Sequence, residues 1–391
     1  MRFLHTSDWH AGRRWRGVDR LPELVRVLDG LAAAVETQGV DVVLLTGDVF
    51  DTGTPPAAAE RAVFSWLRRV SAAGAETVVI AGNHDDPRRI EAWGLLAELA
   101  RVRVVGRPRE AEEGGLIEIV RPSGERALIA AVPFAGAAEY VRADVRATDG
   151  SASRQSYADG LSGLIARLSA GFRRDTVNVV LAHTHVDGAV LSGSERRVHL
   201  GEQWAVTGQS ALPATAHYVG LGHLHRPQSI PGPVPAEYAG SPLAMDFGEA
   251  EDTKSFVLVD AVPGSPAVLT RVPYTGGKRL VRFEGSWEAF EAAADGFGDA
   301  WVKVTLRLDR RAGSGGDAGS RDLAARVRAR VPGVLSLSIV VPNEAPPAAE
   351  GRTARSPVDA FRTYLASKDA AADPALLAAF TELLTQAEGA S

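Results

Sequence analysis

Short, almost entirely apolar runs recur through the N-terminal part of this chain. They are VDVVLLT (40–46), TVVIA (77–81), VNVVLA (177–182) and HYVGL (217–221). Runs of this length, rich in β-branched residues, are typical of strands that are buried on both faces. Segments with the helical spacing of apolar residues separate the first of these runs. The pattern therefore predicts a layered α/β core of mixed sheets flanked by helices.

The pattern restarts near residue 275 and predicts a second domain. Strand-like and helix-like segments alternate there as β-α-β-α-β, so we expect a main domain at 1–274 and a small α/β domain at 275–342. Residues 343–356 have the composition of a linker. Residues 357–391 contain two short amphipathic helices, which either pack on their own chain or dock on a partner.

Composition limits the chemistry that is open to this protein. The chain has no cysteine, so any metal ion must be held by nitrogen and oxygen atoms. Its net charge is −5, so a nucleic-acid-binding surface would be a local patch. The sequence has neither an 18-residue apolar run nor an apolar segment at its N-terminus, which favours a cytoplasmic protein without membrane contact.

Five apolar runs end in polar residues that are common metal ligands. In open α/β sheets, functional groups gather beyond the carboxyl ends of the strands. In chain order, these residues are Asp8, His10, Asp48, Asn83, His84, Asp85, His183, His223 and His225. Taken singly, each has a structural explanation, such as a helix cap for Asp8, a turn for Asn83 or a satisfied core histidine for His183. Their recurrence at one structural position favours a shared site.

The number and type of these residues predict a pair of metal ions. So many buried polar groups would be costly without a compensating charge. They exceed what one tetrahedral zinc ion needs. Two divalent ions about 3.5–4 Å apart form the usual hydrolytic site for phosphate esters. The leaving oxygen still needs a proton, and His84, directly after Asn83, is the candidate general acid.

The motifs resemble those of a known enzyme family. DWH (8–10), GDVFD (47–51), GNHD (82–85), His183 and GHLH (222–225) occur in the order of the signature motifs of calcineurin-like metallophosphoesterases. That resemblance implies a core of two mixed β-sheets flanked by helices.

The surrounding sequence is similar to the SbcD family of nuclease subunits within that superfamily. The similar stretches are HTSDWHAGR, SERR (194–197), GLGHLHRPQ and YAGSPLAMDFGEAEDTKS (238–255). The resemblance implies that the small domain is a capping domain. It also implies that the C-terminal helices bind the coiled coil of an SbcC-type ATPase.

The resemblance also implies a division of the ligands. One ion would be held by Asp8, His10 and His225, the other by Asn83, His183 and His223, and both by Asp48. His84 would protonate the leaving oxygen and Asp85 would orient it, while Asp51 would lie outside the ligand set. The family generally favours Mn²⁺, which suits carboxylate, imidazole and amide ligands.

The remaining histidines have no assigned chemistry. His185 lies two residues beyond His183 and could compete with it as a ligand, although His183 stands directly at the strand end. His5, His199 and His217 match no motif and are expected to be structural.

Arginines follow two of the metal motifs directly. Arg13, Arg14 and Arg16 come after the first motif, and Arg88 and Arg89 after the third. Arginine is a common contact of DNA phosphates. These residues are either contacts to the DNA backbone or parts of a solvated charged face.

The metal-ligand pattern and the resemblance together predict a two-metal DNA nuclease. The resemblance implies that it acts as a double-strand exonuclease and a single-strand or hairpin endonuclease in DNA repair and recombination. The chain has no G-x-x-x-x-G-K-[ST] motif, so any ATP dependence must come from another subunit. The resemblance also implies a homodimer, associated with the nucleoid. One alternative is a phosphoprotein phosphatase or cyclic-nucleotide phosphodiesterase, which would have less use for a capping domain. The other is a non-catalytic DNA-binding scaffold, which would be expected to have lost part of the ligand set.

Overall fold

The computed structural model describes residues 1–97, 100–136, 150–192, 205–206, 212–308 and 316–340, and in the C-terminal region residues 358, 361–362, 365, 373–374 and 376–381. The chain divides into two compact units. One comprises Met1–Arg307 and Gly315–Ile339, and the other comprises Leu308–Ser314 and Val340–Ser391. The SERR stretch, His199 and the predicted linker lie outside the described residues, as do most of the predicted C-terminal helices.

The strands in chain order are β1 (Arg2–Thr6), β2 (Arg14–Trp15), β3 (Val18–Asp19), β4 (Val42–Thr46), β5 (Glu76–Ile80), β6 (Val102–Val105), β7 (Leu116–Val120), β8 (Arg126–Val132), β9 (Val177–His183), β10 (His185–Val186), β11 (Ala205–Val206), β12 (Tyr218–Gly222), β13 (Gln228–Ser229), β14 (Ala236–Tyr238), β15 (Ser255–Asp260), β16 (Val268–Pro273), β17 (Leu280–Gly285), β18 (Trp301–Arg307) and β19 (Val334–Val340). The α-helices are α1 (Leu21–Gln38), α2 (Ala57–Ala72), α3 (Pro87–Ala97), α4 (Gly150–Ser169), α5 (Trp287–Ala293) and α6 (Gly316–Arg330). Short 3₁₀ helices span Ala111–Glu113, Phe247–Glu249 and Ala294–Phe297.

Two mixed six-stranded sheets form the main body of the first unit. The first has the order β16-β15-β1-β4-β5-β6 and the second the order β13-β14-β12-β9-β8-β7. Strands β1, β4, β5 and β6 run parallel, and so do β8, β9, β12 and β14. The remaining strands pair antiparallel at the edges. The predicted hairpin at 116–132 is confirmed by the antiparallel pairing of β7 with β8.

The two sheets pack face to face and are covered by helices on their outer sides. Between them lies an apolar cluster that includes Leu44 of the first sheet and Val179 of the second. Helices α1 and α2 cover the outer face of the first sheet, where the Trp66 indole donates a hydrogen bond to the Leu28 carbonyl at 2.9 Å. Helix α4 covers the second sheet through residues such as Ile165. The predicted layered α/β core is therefore confirmed.

The third sheet, β17-β18-β19, belongs to the segment predicted to restart the pattern. Its elements follow in the expected order β-α-β-α-β, with β17 and β18 parallel. Phe290 of α5 and Val327 of α6 pack on Val302 and Val304 of β18. Ser286 caps α5, because its hydroxyl accepts a hydrogen bond from the Ala289 amide at 3.3 Å.

The second unit contains the described part of the C-terminal region. There the Phe361 and Phe380 rings stack with their centroids 4.1 Å apart. The Leu377 amide donates to the Asp373 carbonyl at 3.1 Å, as expected for a helix that begins near the Asp373-Pro374 pair. Among the described residues of the whole chain, no helix has the length and apolar character needed to cross a bilayer.

Candidate metal centre

The predicted ligands meet where strands of both sheets end. Asp8 follows β1, Asp48 follows β4 and Asn83 follows β5, all in the first sheet. In the second sheet, His183 is the last residue of β9, and His223 follows β12. Because β9 and β12 are parallel neighbours with His183 opposite Gly222, their carboxyl ends lie at the same edge. The site is thus assembled from two sheets at once.

The ligand atoms form three overlapping groups, and within each group the atoms lie within 4.8 Å of one another. They are Asp8 with His10 and His225, His10 with Asp48 and His84, and Asp8 with Asp48 and His183. The side chains of Asp8, His10, Asp48, His183, His223 and His225 are all buried. Asp8, His10 and Asp48 each belong to two of the groups, so the ligand atoms form one continuous cluster.

His183 is held in the tautomer that a metal ligand needs. Its Nδ1–H donates a hydrogen bond to the Thr46 carbonyl at 2.8 Å. The Nε2 atom therefore has a free lone pair, and it lies 3.0 Å from Asn83 Oδ1 and 3.6 Å from Asp48 Oδ2. Hydrogen bonding of the second ring nitrogen is the usual way in which proteins orient a ligating imidazole.

His10 and His225 turn the same ring atom towards each other. Their Nε2 atoms are 3.1 Å apart. On the far side of each ring stands a carboxylate, since His10 Nδ1 lies 3.3 Å from Asp51 Oδ1 and His225 Nδ1 lies 3.6 Å from Glu249 Oε1. Asp51 was expected outside the ligand set. Glu249 was not predicted at all, although it lies within the family-like stretch 238–255.

This donor set fits divalent metal ions. Asn83 Oδ1 lies 3.0 Å from both His183 Nε2 and His223 Nδ1. Because the Nδ1–H of His183 is engaged by the Thr46 carbonyl, the lone pair of its Nε2 faces that of Asn83 Oδ1. Such lone pairs repel unless a cation lies between them. A spacing of ~3 Å is also what two neighbouring ligand atoms show when each is about 2.1 Å from one ion. The residues present therefore suit ions that prefer carboxylate, imidazole and amide donors.

Burial sets the charge state of these groups. It lowers the pKa of His10 to about 4, and it lowers the pKa values of His183 and His223 as well, so that these imidazoles are neutral near pH 7. Burial alone would raise the pKa of Asp48, but positive charge on the neighbouring histidines at low pH and a hydrogen bond from the His84 amide at 2.8 Å outweigh it and hold that pKa below its ordinary value. Neutral imidazoles and a charged carboxylate are the forms that bind metals.

His84 and Asp85 hold different parts of the site. The His84 Nδ1–H donates to the Asp51 carbonyl at 2.8 Å, and its ring is 4.7 Å from that of His10. The Asp85 carboxylate instead accepts hydrogen bonds from three backbone amides, those of Val49, Phe50 and Gly82. The contact that orients the His84 ring thus comes from Asp51, and Asp85 ties together the loops after β4 and β5. Burial and the nearby Asp48 raise the pKa of Asp85 to about 7.

Four of the predicted ligands have positive backbone φ angles, which lie in the left-handed region. The φ angles are +53° at Asp8, +46° at His10, +47° at Asp48 and +102° at His223. Such values are uncommon for residues other than glycine, and each costs on the order of 1–3 kcal/mol. All four are Asp or His, which are among the residues other than glycine that adopt these angles most often.

Glycines allow close approach at the site, both between the two sheets and within the first sheet. A Cβ atom at Gly222 would lie 1.9 Å from the Thr46 carbonyl oxygen, and one at Gly82 would lie 2.2 Å from Asp48 Oδ1. Both distances are far below contact. Any side chain at these positions would therefore displace ligands or the backbone that orients them.

The candidate DNA-contacting arginines differ in their surroundings. Arg13 pairs with Asp51 at 3.0 Å and Arg89 with Glu60 at 2.5 Å, so both guanidinium groups have acidic partners. Arg14, Arg16 and Arg88 are exposed. The Arg16 guanidinium lies 5.9 Å from the centre of the Trp15 ring.

Three further histidines lie in the part of the chain that the structure describes. His5 is buried between the sheets, where hydrogen bonds join it to Tyr218 at 2.7 Å and Thr46 at 2.8 Å. His217 accepts a hydrogen bond from the Asn178 amide at 2.9 Å. His185 begins the short strand β10 and is half-buried.

The sequence of this chain matches a family model and several known proteins. The family model for calcineurin-like phosphoesterases matches residues 1–227. The SbcD component of the SbcCD nuclease of Bacillus subtilis (strain 168) is 36% identical, over 79% of this chain and 79% of that protein. The SbcD protein of Rhodobacter capsulatus is 31% identical, over 71% and 72% of the two chains. That of Escherichia coli (strain K12) is 30% identical over 66% and 64%.

Among solved structures, a dimetal phosphatase from Danio rerio matches with a TM-score of 0.41 and 9% identity, over 70% of this chain and 99% of that chain. The family assignment depends on the sequence comparisons. The family model spans more than half of this chain, and the Bacillus subtilis relative aligns over most of both lengths. The chain therefore belongs to the calcineurin-like phosphoesterases and, within them, to the SbcD family of nuclease subunits.

Proposed function

We propose that this chain, a metal-dependent nuclease subunit by its family, hydrolyses phosphodiester bonds of DNA with two Mn²⁺ ions. The proposed ligands of one ion are Asp8, His10 and His225, those of the other are Asn83, His183 and His223, and Asp48 bridges them. The observation that carries the proposal is the convergence of these donors, all buried except the half-buried Asn83, from both sheets.

The bound ions would lower the pKa of a water molecule and neutralise charge on the phosphate oxygens. His84 would give a proton to the leaving sugar oxygen. Its Nδ1–H is engaged by the Asp51 carbonyl, so Nε2 is the atom that can hold and donate the mobile proton. Unlike the buried His10 and His183, His84 is only half-buried, as expected for a group that meets substrate. Asp85 acts as a positioning residue, because it fixes the backbone on either side of the site.

The proposed partner is an SbcC-type ATPase with a coiled coil. The relatives are components of a nuclease called SbcCD, and that name implies a second component beside SbcD. We assign partner binding to residues 357–391 beyond a linker at 343–356, and capping of the nuclease domain (1–274) to residues 275–342. Membership of the family also leads us to propose a homodimer and association with the nucleoid. The exposed Arg14, Arg16 and Arg88 are the better candidates for DNA phosphate contacts.

The test compares DNA hydrolysis with metal binding. Purified protein is stripped of metal, supplied with Mn²⁺ and assayed on linear duplex DNA and on an aryl phosphodiester. His84→Ala is expected to lower the rate by roughly 10²–10⁴ while Mn²⁺ binding is retained. His217→Gln is the matched control, since His217 lies outside the site, and should leave both properties unchanged.

Other outcomes identify the alternatives. Cleavage of the small ester without cleavage of DNA, even after an SbcC-type protein is added, would support a phosphatase or a small-molecule phosphodiesterase. Metal binding without hydrolysis of either substrate would support a DNA-binding scaffold. Each result would refute the proposed nuclease activity of this centre.

A further inference from the structure

Glu249 is a buried acid at the outer edge of the metal centre. It ends the short 3₁₀ helix Phe247–Glu249 and is only 1% exposed. Its Oε1 atom lies 3.6 Å from His225 Nδ1. Its Oε2 atom accepts hydrogen bonds from the Lys254 ammonium at 2.6 Å and from the Met245 amide at 3.0 Å. One carboxylate oxygen is thus held by the protein while the other faces the imidazole.

Lys254 contacts the same histidine through its backbone. The ammonium donates to the His225 carbonyl at 2.7 Å as well as to Glu249. The Ser241 amide donates to that carbonyl at 3.1 Å. Glu249 and Lys254 lie 24 and 29 residues after His225 in the sequence. Together they contact it at two points, the imidazole ring and the main-chain carbonyl.

The turn that contains Glu249 is itself held on two sides. Asp246 caps it, because its side chain accepts a hydrogen bond from the Gly248 amide at 2.8 Å. The Phe247 carbonyl accepts a hydrogen bond from Arg282 Nε of β17 at 2.6 Å. The position of the Glu249 carboxylate is therefore set by its surroundings rather than by rotation of a free side chain.

We propose that Glu249, supported by Lys254, is a positioning residue that keeps the proton of His225 on Nδ1 and so directs its Nε2 lone pair towards the metal ion shared with Asp8 and His10. This inference rests on the two-metal centre of the proposed function. A negative carboxylate opposite Nδ1 favours the tautomer with hydrogen on that atom. Partners of this kind typically change metal affinity by about 10–100-fold when they are mutated.

A purely structural ion pair is the competing explanation, and the chain contains one for comparison. Glu23 is also buried, and Arg20 binds it with both Nε and a terminal nitrogen, at 2.7 and 3.0 Å. Glu23 additionally accepts hydrogen bonds from the Lys278 amide and the Trp301 indole. It resembles Glu249 in burial and pairing but lies outside the metal centre. Glu23→Gln is therefore the matched control for Glu249→Gln.

The first measurement is Mn²⁺ binding by calorimetry to full-length protein stripped of metal. Wild type is expected to bind two ions. Glu249→Gln should bind one of them about tenfold more weakly and the other as wild type does. Glu23→Gln should bind both ions as wild type does, whatever its effect on the unfolding midpoint. The double variant Glu249→Gln/Lys254→Met leaves no unpaired buried charge, and it should also show the weakened site.

The second measurement needs no variant at the acid. In metal-free wild-type protein labelled with ¹⁵N-histidine, the His225 signal is expected to show hydrogen on Nδ1. Hydrogen on Nε2 would overturn the proposal, and so would full Mn²⁺ affinity in Glu249→Gln or its recovery in the double variant. In those cases the two-metal centre stands, because wild type still binds its ions. Failure of wild type to bind Mn²⁺ would instead refute the centre and, with it, this role of Glu249.

Discussion

The substitution Gly222→Ala tests how the two sheets meet at the metal centre. Gly222 is the last residue of β12, and a Cβ atom there would lie 1.9 Å from the Thr46 carbonyl oxygen and 2.4 Å from Ser7 Oγ. That carbonyl belongs to the neighbouring sheet and accepts two hydrogen bonds, from the Ser7 hydroxyl at 2.9 Å and from His183 Nδ1 at 2.8 Å. Relief of the clash requires about 1 Å of separation, because overpacked atoms relax only by shifting their neighbours.

The cost has two parts. Overpacking of a rigid backbone contact costs about 1–3 kcal/mol. Weakening the two hydrogen bonds to a buried carbonyl adds about 0.5–1.5 kcal/mol for each. We therefore expect Gly222→Ala to lower the free energy of unfolding by about 2–6 kcal/mol, which is a large fraction of the stability of a typical domain. Because His183 loses its tautomer-fixing contact, Mn²⁺ binding should weaken too.

Urea unfolding followed by tryptophan fluorescence measures the change, and calorimetry measures Mn²⁺ affinity. Gly296→Ala is the matched control, since a Cβ atom at that position meets nothing within 4 Å. Its free energy of unfolding should stay within about 0.5 kcal/mol of the wild-type value. If Gly222→Ala behaved like Gly296→Ala and kept full Mn²⁺ affinity, the close approach of the sheets would be refuted.

Three further predictions concern metal, pH and salt. Removal of metal with a chelator should lower the midpoint temperature of unfolding. Adding Mn²⁺ at ~100 times its Kd should raise the free energy of unfolding by about 2.7 kcal/mol, and thermal scans at increasing Mn²⁺ concentration measure this change. Burial lowers the pKa of His5 to about 3 in the folded protein. As the pH falls, the His5 imidazole therefore binds a proton in the unfolded chain before it does so in the folded one. Because of this group, the free energy of unfolding of the metal-free protein should fall by up to about 1.4 kcal/mol per pH unit as the pH drops from about 6.5 to 3. The fall should be smaller in His5→Asn, and urea unfolding measures both. Arg14→Ala should reduce the salt dependence of DNA binding by a slope of about 0.9, whereas Arg89→Ala, already paired with Glu60, should change it less.

Local patterns predicted the elements and the edge at which the site lies. The run at 40–46 became β4 and the run at 177–182 became β9, because a strand buried on both faces must be apolar throughout. Ligands at the ends of such strands could be expected to meet, since parallel strands end at one edge. The polar residues after these strands therefore predicted which side chains the structure would bring together.

Longer-range pairing could not be predicted from the sequence. Strand β15 returns to lie antiparallel beside β1, with Arg2 opposite Asp260, and no local pattern specifies that partner. The same is true of Glu249, which reaches His225 only because the segment after β14 folds back over the site. The Asp85 contacts with backbone amides and the left-handed angle at Asp8 depend on loop geometry, which a residue pattern does not record.

The origin of the ligands in two separate sheets has a consequence during synthesis of the protein. His10 and His225 meet across 215 positions of chain, so a ribosome must release nearly the whole main domain before their Nε2 atoms can approach. Prematurely terminated chains that lack β12 and the residues after it would keep Asp8, Asp48, Asn83 and His183 but would lack His223 and His225. The complete set of predicted metal ligands can therefore form only after β12 and the residues that follow it have been synthesised and folded.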